Sequence, residues 1–124
     1  MKSFALTIAL VALGCSSNDV CNGNSCVCAV NEPCSADCVA GAGPCDVQCT
    51  PNTTCDVGCT SGQICHVECI DSTQCSVDCA GSPECHVSCP ASGCTVRNCV
   101  GADCIVACGA LGEGTHDGST VTCP

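Results

Sequence analysis

The sequence predicts an all-β chain: a small disulfide-stapled β-solenoid, or a stack of short strands of the same kind. Three observations lead there. First, the phrase Cys-x-Val-x-Cys recurs every ten residues, as Cys45-Asp-Val-Gln-Cys49, Cys55-Asp-Val-Gly-Cys59, Cys65-His-Val-Glu-Cys69, Cys75-Ser-Val-Asp-Cys79 and Cys85-His-Val-Ser-Cys89. Second, Cys, Val and Cys at i, i+2 and i+4 share one side of an extended strand, and the residues between them are mainly polar. Third, the intervening stretches, such as Thr50-Pro-Asn-Thr-Thr54, Thr60-Ser-Gly-Gln-Ile64 and Ala80-Gly-Ser-Pro-Glu84, are turn-forming and leave no room for helices.

The chain opens on Lys2 and an apolar stretch, Phe4-Ala-Leu-Thr-Ile-Ala-Leu-Val-Ala-Leu13. That is the length of a signal peptide and too short to span a bilayer as a helix. It ends in Ala12-Leu13-Gly14-Cys15, followed by Ser16-Ser17-Asn18-Asp19. This resembles the lipobox of bacterial lipoproteins. The resemblance covers residues 1–19 and implies cleavage by signal peptidase II before a cysteine whose sulfur carries diacylglycerol. It departs from the family at Ala12, where Leu is commonest, and Ala12-x-Gly14 also fits the small-x-small rule of an ordinary secretory signal. Cysteine parity favours the lipidated reading. The total is 21, and setting Cys15 aside leaves an even number for pairing.

Residues 1–14 are therefore expected to be a signal peptide, and 15–20 a lipidated cysteine and polar tether. Residues 21–124 are expected to form one cysteine-rich β-repeat domain. Within it, Cys21, Cys26, Cys28, Cys34 and Cys38 read as an irregular entry, and residues 45–89 are the strict repeat. Cys94-Thr-Val-Arg-Asn-Cys99 and Cys104-Ile-Val-Ala-Cys108 are looser copies. Residues 109–118 are glycine-rich and read as a loop. Ser119-Thr-Val-Thr-Cys123 reads as one last strand.

Composition limits how such a chain can hold together. It has 21 cysteines in 124 residues, no Trp or Tyr, and a single Phe and a single Met, both before Cys15. It cannot bury a sizeable conventional core, so cross-links must replace packing. A flat meander would leave the Cys/Val face uncovered, whereas winding the strands into a solenoid buries it against a second sheet. The preferred coil holds two repeats. The alternative coil holds one, and is similar to the narrow disulfide-filled solenoids of insect antifreeze proteins. Their regular threonine array is not matched here: Thr50 and Thr60 follow their cysteines, but Ile70, Ala80 and Pro90 break the file.

Distance sets the expected disulfide map. Cysteines four residues apart on a strand have Cα atoms roughly 13 Å apart, whereas a disulfide tolerates about 4.4–6.8 Å. The nearest inward cysteine lies across the following turn. The expected pairs are Cys49–Cys55, Cys59–Cys65, Cys69–Cys75 and Cys79–Cys85. Carrying the rule outward adds Cys21–Cys26, Cys28–Cys34, Cys38–Cys45, Cys89–Cys94, Cys99–Cys104 and Cys108–Cys123. The rival arrangement joins stacked coils, for example Cys55 with Cys75.

The formal charge is −10, and Arg97 is the only basic residue after Lys2. With no cationic surface and no aromatic platform, nucleic acid is not an expected partner, and any membrane attachment must be covalent. No Cys-x-x-Cys, Gly-x-Ser-x-Gly, His-Glu-x-x-His, phosphate loop or EF-hand loop occurs, so no catalytic activity and no cofactor are expected. Metallothionein-like proteins are similar in cysteine density, but they depend on Cys-x-Cys and Cys-x-x-Cys clusters, and only Cys26-Val-Cys28 occurs here. Asp46, His66 and His86 occupy one outward slot at twenty-residue spacing. A two-repeat coil would stack them in a file roughly 4.8 Å apart, a possible holder of Zn²⁺ or Cu²⁺. His116 has no partner motif. The expected role is an exported, lipid-anchored structural or interaction module of the bacterial cell envelope, with an acidic face for an unidentified protein partner. The alternative is metal binding or sequestration, by thiolates or by the Asp/His file.

Overall fold

The computed structural model describes residues 20–124 apart from Ser61, Asp71, Thr73, Ala102, Ala110, Leu111 and Glu113, and only the backbone of Val20, Cys21 and Asn22. The expected leader, Cys15 and the tether up to residue 19 lie outside the described residues. Twelve strands follow in order: β1 (Val20–Asn22), β2 (Ser25–Val27), β3 (Cys34–Asp37), β4 (Cys45–Gln48), β5 (Thr54–Gly58) and β6 (Cys65–Glu68), then β7 (Gln74–Asp78), β8 (Cys85–Ser88), β9 (Cys94–Arg97), β10 (Cys104–Ala107), β11 (Thr115–Asp117) and β12 (Thr120–Cys123). No helix among the described residues is long and apolar enough to cross a membrane.

The strands form two six-stranded sheets, ordered β1-β2-β4-β6-β8-β10 and β11-β12-β9-β7-β5-β3. Consecutive strands of the repeat alternate between the sheets, so one coil holds two repeats. Parallel neighbours align like on like: Cys45 with Cys65, Val47 with Val67, Cys65 with Cys85, Val67 with Val87. The opposite sheet repeats this with Cys55 and Cys75, and Val57 and Val77. Backbone bonds continue the ladder past the strand ends, from the Cys49 N–H to the Glu68 carbonyl (2.7 Å) and from the Cys59 N–H to the Asp78 carbonyl (2.8 Å).

The core is a column of valines flanked by cystine. Val47, Val57, Val67, Val77, Val87, Val96 and Val121 are fully buried. Each stabilises the fold by roughly 1.5–3 kcal/mol. Nine cystines lie wholly among the described residues. Eight join the two ends of one turn: Cys28–Cys34, Cys38–Cys45, Cys49–Cys55, Cys59–Cys65, Cys69–Cys75, Cys79–Cys85, Cys89–Cys94 and Cys99–Cys104. The ninth, Cys108–Cys123, ties the end of β10 to the end of β12 across the β11–β12 hairpin. Their Cα separations run from 5.4 to 6.2 Å. No described pair links stacked coils or the two ends of one strand. The expected Cys21–Cys26 link involves a side chain outside the described residues. The antiparallel β1–β2 register sets the two backbone positions opposite each other.

Because turns alternate sides, the cystines fall into two columns. One holds 28–34, 49–55, 69–75, 89–94 and 108–123; the other holds 38–45, 59–65, 79–85 and 99–104. Neighbours in a column touch: Cys28 Sγ lies 3.8 Å from Cys55 Sγ, and Cys69 Sγ lies 3.7 Å from Cys49 Sγ.

Two expectations need correction. The entry segment is not irregular: β2 and β3 form a degenerate first coil. Cys26 aligns with Val47 and Ala36 with Val57, so these two residues occupy the valine slot. The segment 109–118 is not wholly loop. It contains β11, which pairs antiparallel with β12 across a two-residue turn at Gly118 (φ 60°) and Ser119. Thr115, His116 and Asp117 are all exposed, so no apolar alternation marks the strand. The β1–β2 and β12–β11 hairpins are antiparallel and end the parallel series at opposite corners of the solenoid.

Candidate functional site

Each Cys-x-Val-x-Cys strand sends its two intervening side chains outward. On the sheet carrying β4, β6 and β8 this produces two files across the strands: Asp46, His66, His86 and, two residues on, Gln48, Glu68, Ser88. Together these six line a shallow surface depression. The structure brings together the three residues singled out from the sequence. The imidazoles of His66 and His86 stack with ring centroids 5.0 Å apart and planes at 15°. That spacing follows from the separation of parallel strands, about 4.7–4.9 Å. Cystines bracket both histidine strands: Cys59–Cys65 and Cys69–Cys75 hold β6, while Cys79–Cys85 and Cys89–Cys94 hold β8.

Sequence reasoning missed one partner. Glu84 Oε1 lies 3.2 Å from His86 Nε2, both side chains being partly exposed. The available signal was the i, i+2 spacing of Glu84 and His86, which share a side of an extended segment. His66 has Ile64 at the equivalent position. His116 lies on β11 in the other sheet and is not part of the file.

Among the described residues, the opposite outward face carries no comparable pair of stacked histidines. Its most organised group is Asp78, which accepts from Asn98 Nδ2 at 2.7 Å and from the Ala80 N–H at 3.0 Å. Those bonds, with the Arg97 guanidinium adding to them, hold the Asp78 carboxyl below its ordinary range. Asn98, at φ 54°, takes up the extra residue between Cys94 and Cys99, so this group stabilises a turn.

The buried polar side chains are committed to the backbone. Asn24 occupies the slot that Cys45 fills one coil later. It donates through Nδ2 to the carbonyls of Val39 (2.8 Å) and Gly43 (2.9 Å), and its Oδ1 accepts the Val39 N–H (2.9 Å). Thr53 donates to the Thr50 carbonyl and Ser72 to the Cys69 carbonyl. Thr50 and Thr60, each following its cysteine, donate back to the Cys28 and Cys38 carbonyls of the preceding coil. No buried side-chain N or O atom among the described residues lacks a partner.

Triplets of described cysteine sulfurs, such as Cys49, Cys69 and Cys75, lie mutually within 4.8 Å. They are stacked cystines, and the described cysteines hold no free thiol. Thiolate coordination there would require these cystines to be reduced. No family model matches this chain, and no curated protein and no solved structure matches it.

Proposed function

We propose that this chain is an exported, lipid-anchored, cysteine-rich structural or interaction module of the bacterial cell envelope, without catalytic activity. The observation that carries this reading is the core itself. A domain held by stacked cystines and one column of valines depends on an oxidising compartment, because a reducing one would open its main supports. The leader ending in Ala12-Leu13-Gly14-Cys15 supplies the route of export and the anchor. One cysteine bearing two or three acyl chains suffices for stable attachment, whereas a single chain does not.

The surface supports a non-catalytic role. The described carboxylates are spread over outward strand positions and turns, and the buried polar side chains described are used up in backbone hydrogen bonds. A stiff acidic rod suits repeated contact with a cationic or protein partner.

Replacing Cys15 by Ser tests the anchor. The parent should incorporate labelled palmitate and partition into the detergent phase. The variant should lose the label and either accumulate as precursor or enter the aqueous phase. A variant that partitions and labels like the parent would overturn the assignment.

A further inference from the structure

Two histidines stacked in register on neighbouring strands, with carboxylates on the same face, form a donor set that the anchoring role does not use. We propose that His66 and His86, completed by a carboxylate from Asp46 or Glu68, form a surface site for one divalent transition metal ion, Zn²⁺ or Cu²⁺. Two imidazoles and a carboxylate suit these borderline ions, whereas an all-oxygen set would suit Mg²⁺ or Ca²⁺.

Geometry supports the proposal in three ways. Tetrahedral Zn²⁺ with Zn–N bonds of about 2.0–2.1 Å needs its two nitrogens roughly 3.3 Å apart. The rings stack at 5.0 Å on directly paired residues of neighbouring strands, so bringing the two nitrogens to that separation takes rotation about side-chain torsions. Second, Glu84 Oε1 stands 3.2 Å from His86 Nε2. A carboxylate placed to accept the Nε2–H would leave Nδ1 as the lone-pair nitrogen, the usual arrangement behind a metal-binding histidine. Third, cystines bracket both strands, so the backbone spacing of the two histidines is set before any metal arrives. Glu68 lies two residues from His66 on the same side and lines the same depression as both rings.

The proposal does not depend on lipid attachment. It is tested by calorimetric titration of Zn²⁺ into the oxidised full chain in detergent, beside H66A, H86A, E84Q, H116A and the double variant D46N/E68Q. Each variant is first checked for absence of free thiols by alkylation and mass, which confirms that the scaffold has formed. The parent should bind one Zn²⁺ per chain. H66A and H86A should each weaken binding at least tenfold, as should D46N/E68Q. E84Q should weaken it several-fold, and H116A should match the parent. Equal affinity in the parent, H66A and H86A would overturn the site, as would loss on removing His116 or loss on removing only one of the stacked histidines.

Discussion

At the residue scale, the strand slots accept few side chains, and the exceptions are informative. The valine slot holds Val in the full coils and Cys26 or Ala36 in the first. The cysteine slot just before β2 holds Asn24, opposite Cys45 of the next coil. Asn24 replaces the cystine with three hydrogen bonds to the turn at residues 39–43. Asn24→Ala should leave the Val39 N–H and two carbonyls without partners, at about 2 kcal/mol. Hydrogen exchange at the Val39 amide should then quicken roughly 30-fold. Asn24→Asp should do nearly as much damage, because a carboxylate cannot donate to the Val39 and Gly43 carbonyls. Unchanged protection of Val39 in both variants would show that the Asn24 clamp contributes nothing. The sequence concealed this role, since a lone Asn before Cys26 reads as a turn residue, and only the register reveals it as a substituted cysteine.

At the element scale, the strict repeat from 45 to 89 was legible because Cys and Val alternate there with residues that are polar except for Gly58. The pairing across turns was legible because extended strands are long compared with a disulfide. The first coil was not, because Cys26 and Ala36 break the valine pattern. Nor was β11, whose side chains are all exposed. The two cystine columns were also hidden, since they exist only once coils stack. They have a chemical consequence. With neighbouring sulfurs 3.7–3.8 Å apart, a thiolate released at one cystine lies within reach of the next cystine in its column. Limited reduction with substoichiometric dithiothreitol at mildly alkaline pH should therefore yield non-native pairs within a column, such as Cys28–Cys55 or Cys49–Cys69. Pairs between columns, such as Cys55–Cys65, should not accumulate. Mass spectrometry after rapid acid quench and cleavage in the turns reads the pairs, and a random mixture would contradict the stacking.

At the scale of the whole molecule, two parallel sheets enclose a core one side chain deep, and antiparallel hairpins close opposite corners. Spacing alone left the coil length open, because one-repeat and two-repeat coils share the same pairing across turns. The stacked sheets decide it: valine faces valine at twenty-residue spacing within a sheet, and the intervening repeat lies in the other sheet. The histidine site rests on this stacking, since a one-repeat coil would insert Ser76 between His66 and His86. The most direct test is a nuclear Overhauser experiment on the oxidised protein, read at the outward side chains, which cannot touch through the core. The account predicts cross-peaks between the ring protons of His66 and His86 and between the side chains of Asp46 and His66, with none from His66 to Ser76. Cross-peaks from His66 to Ser76 and Asp56, with none to His86, would contradict the two-repeat coil and remove the histidine site with it.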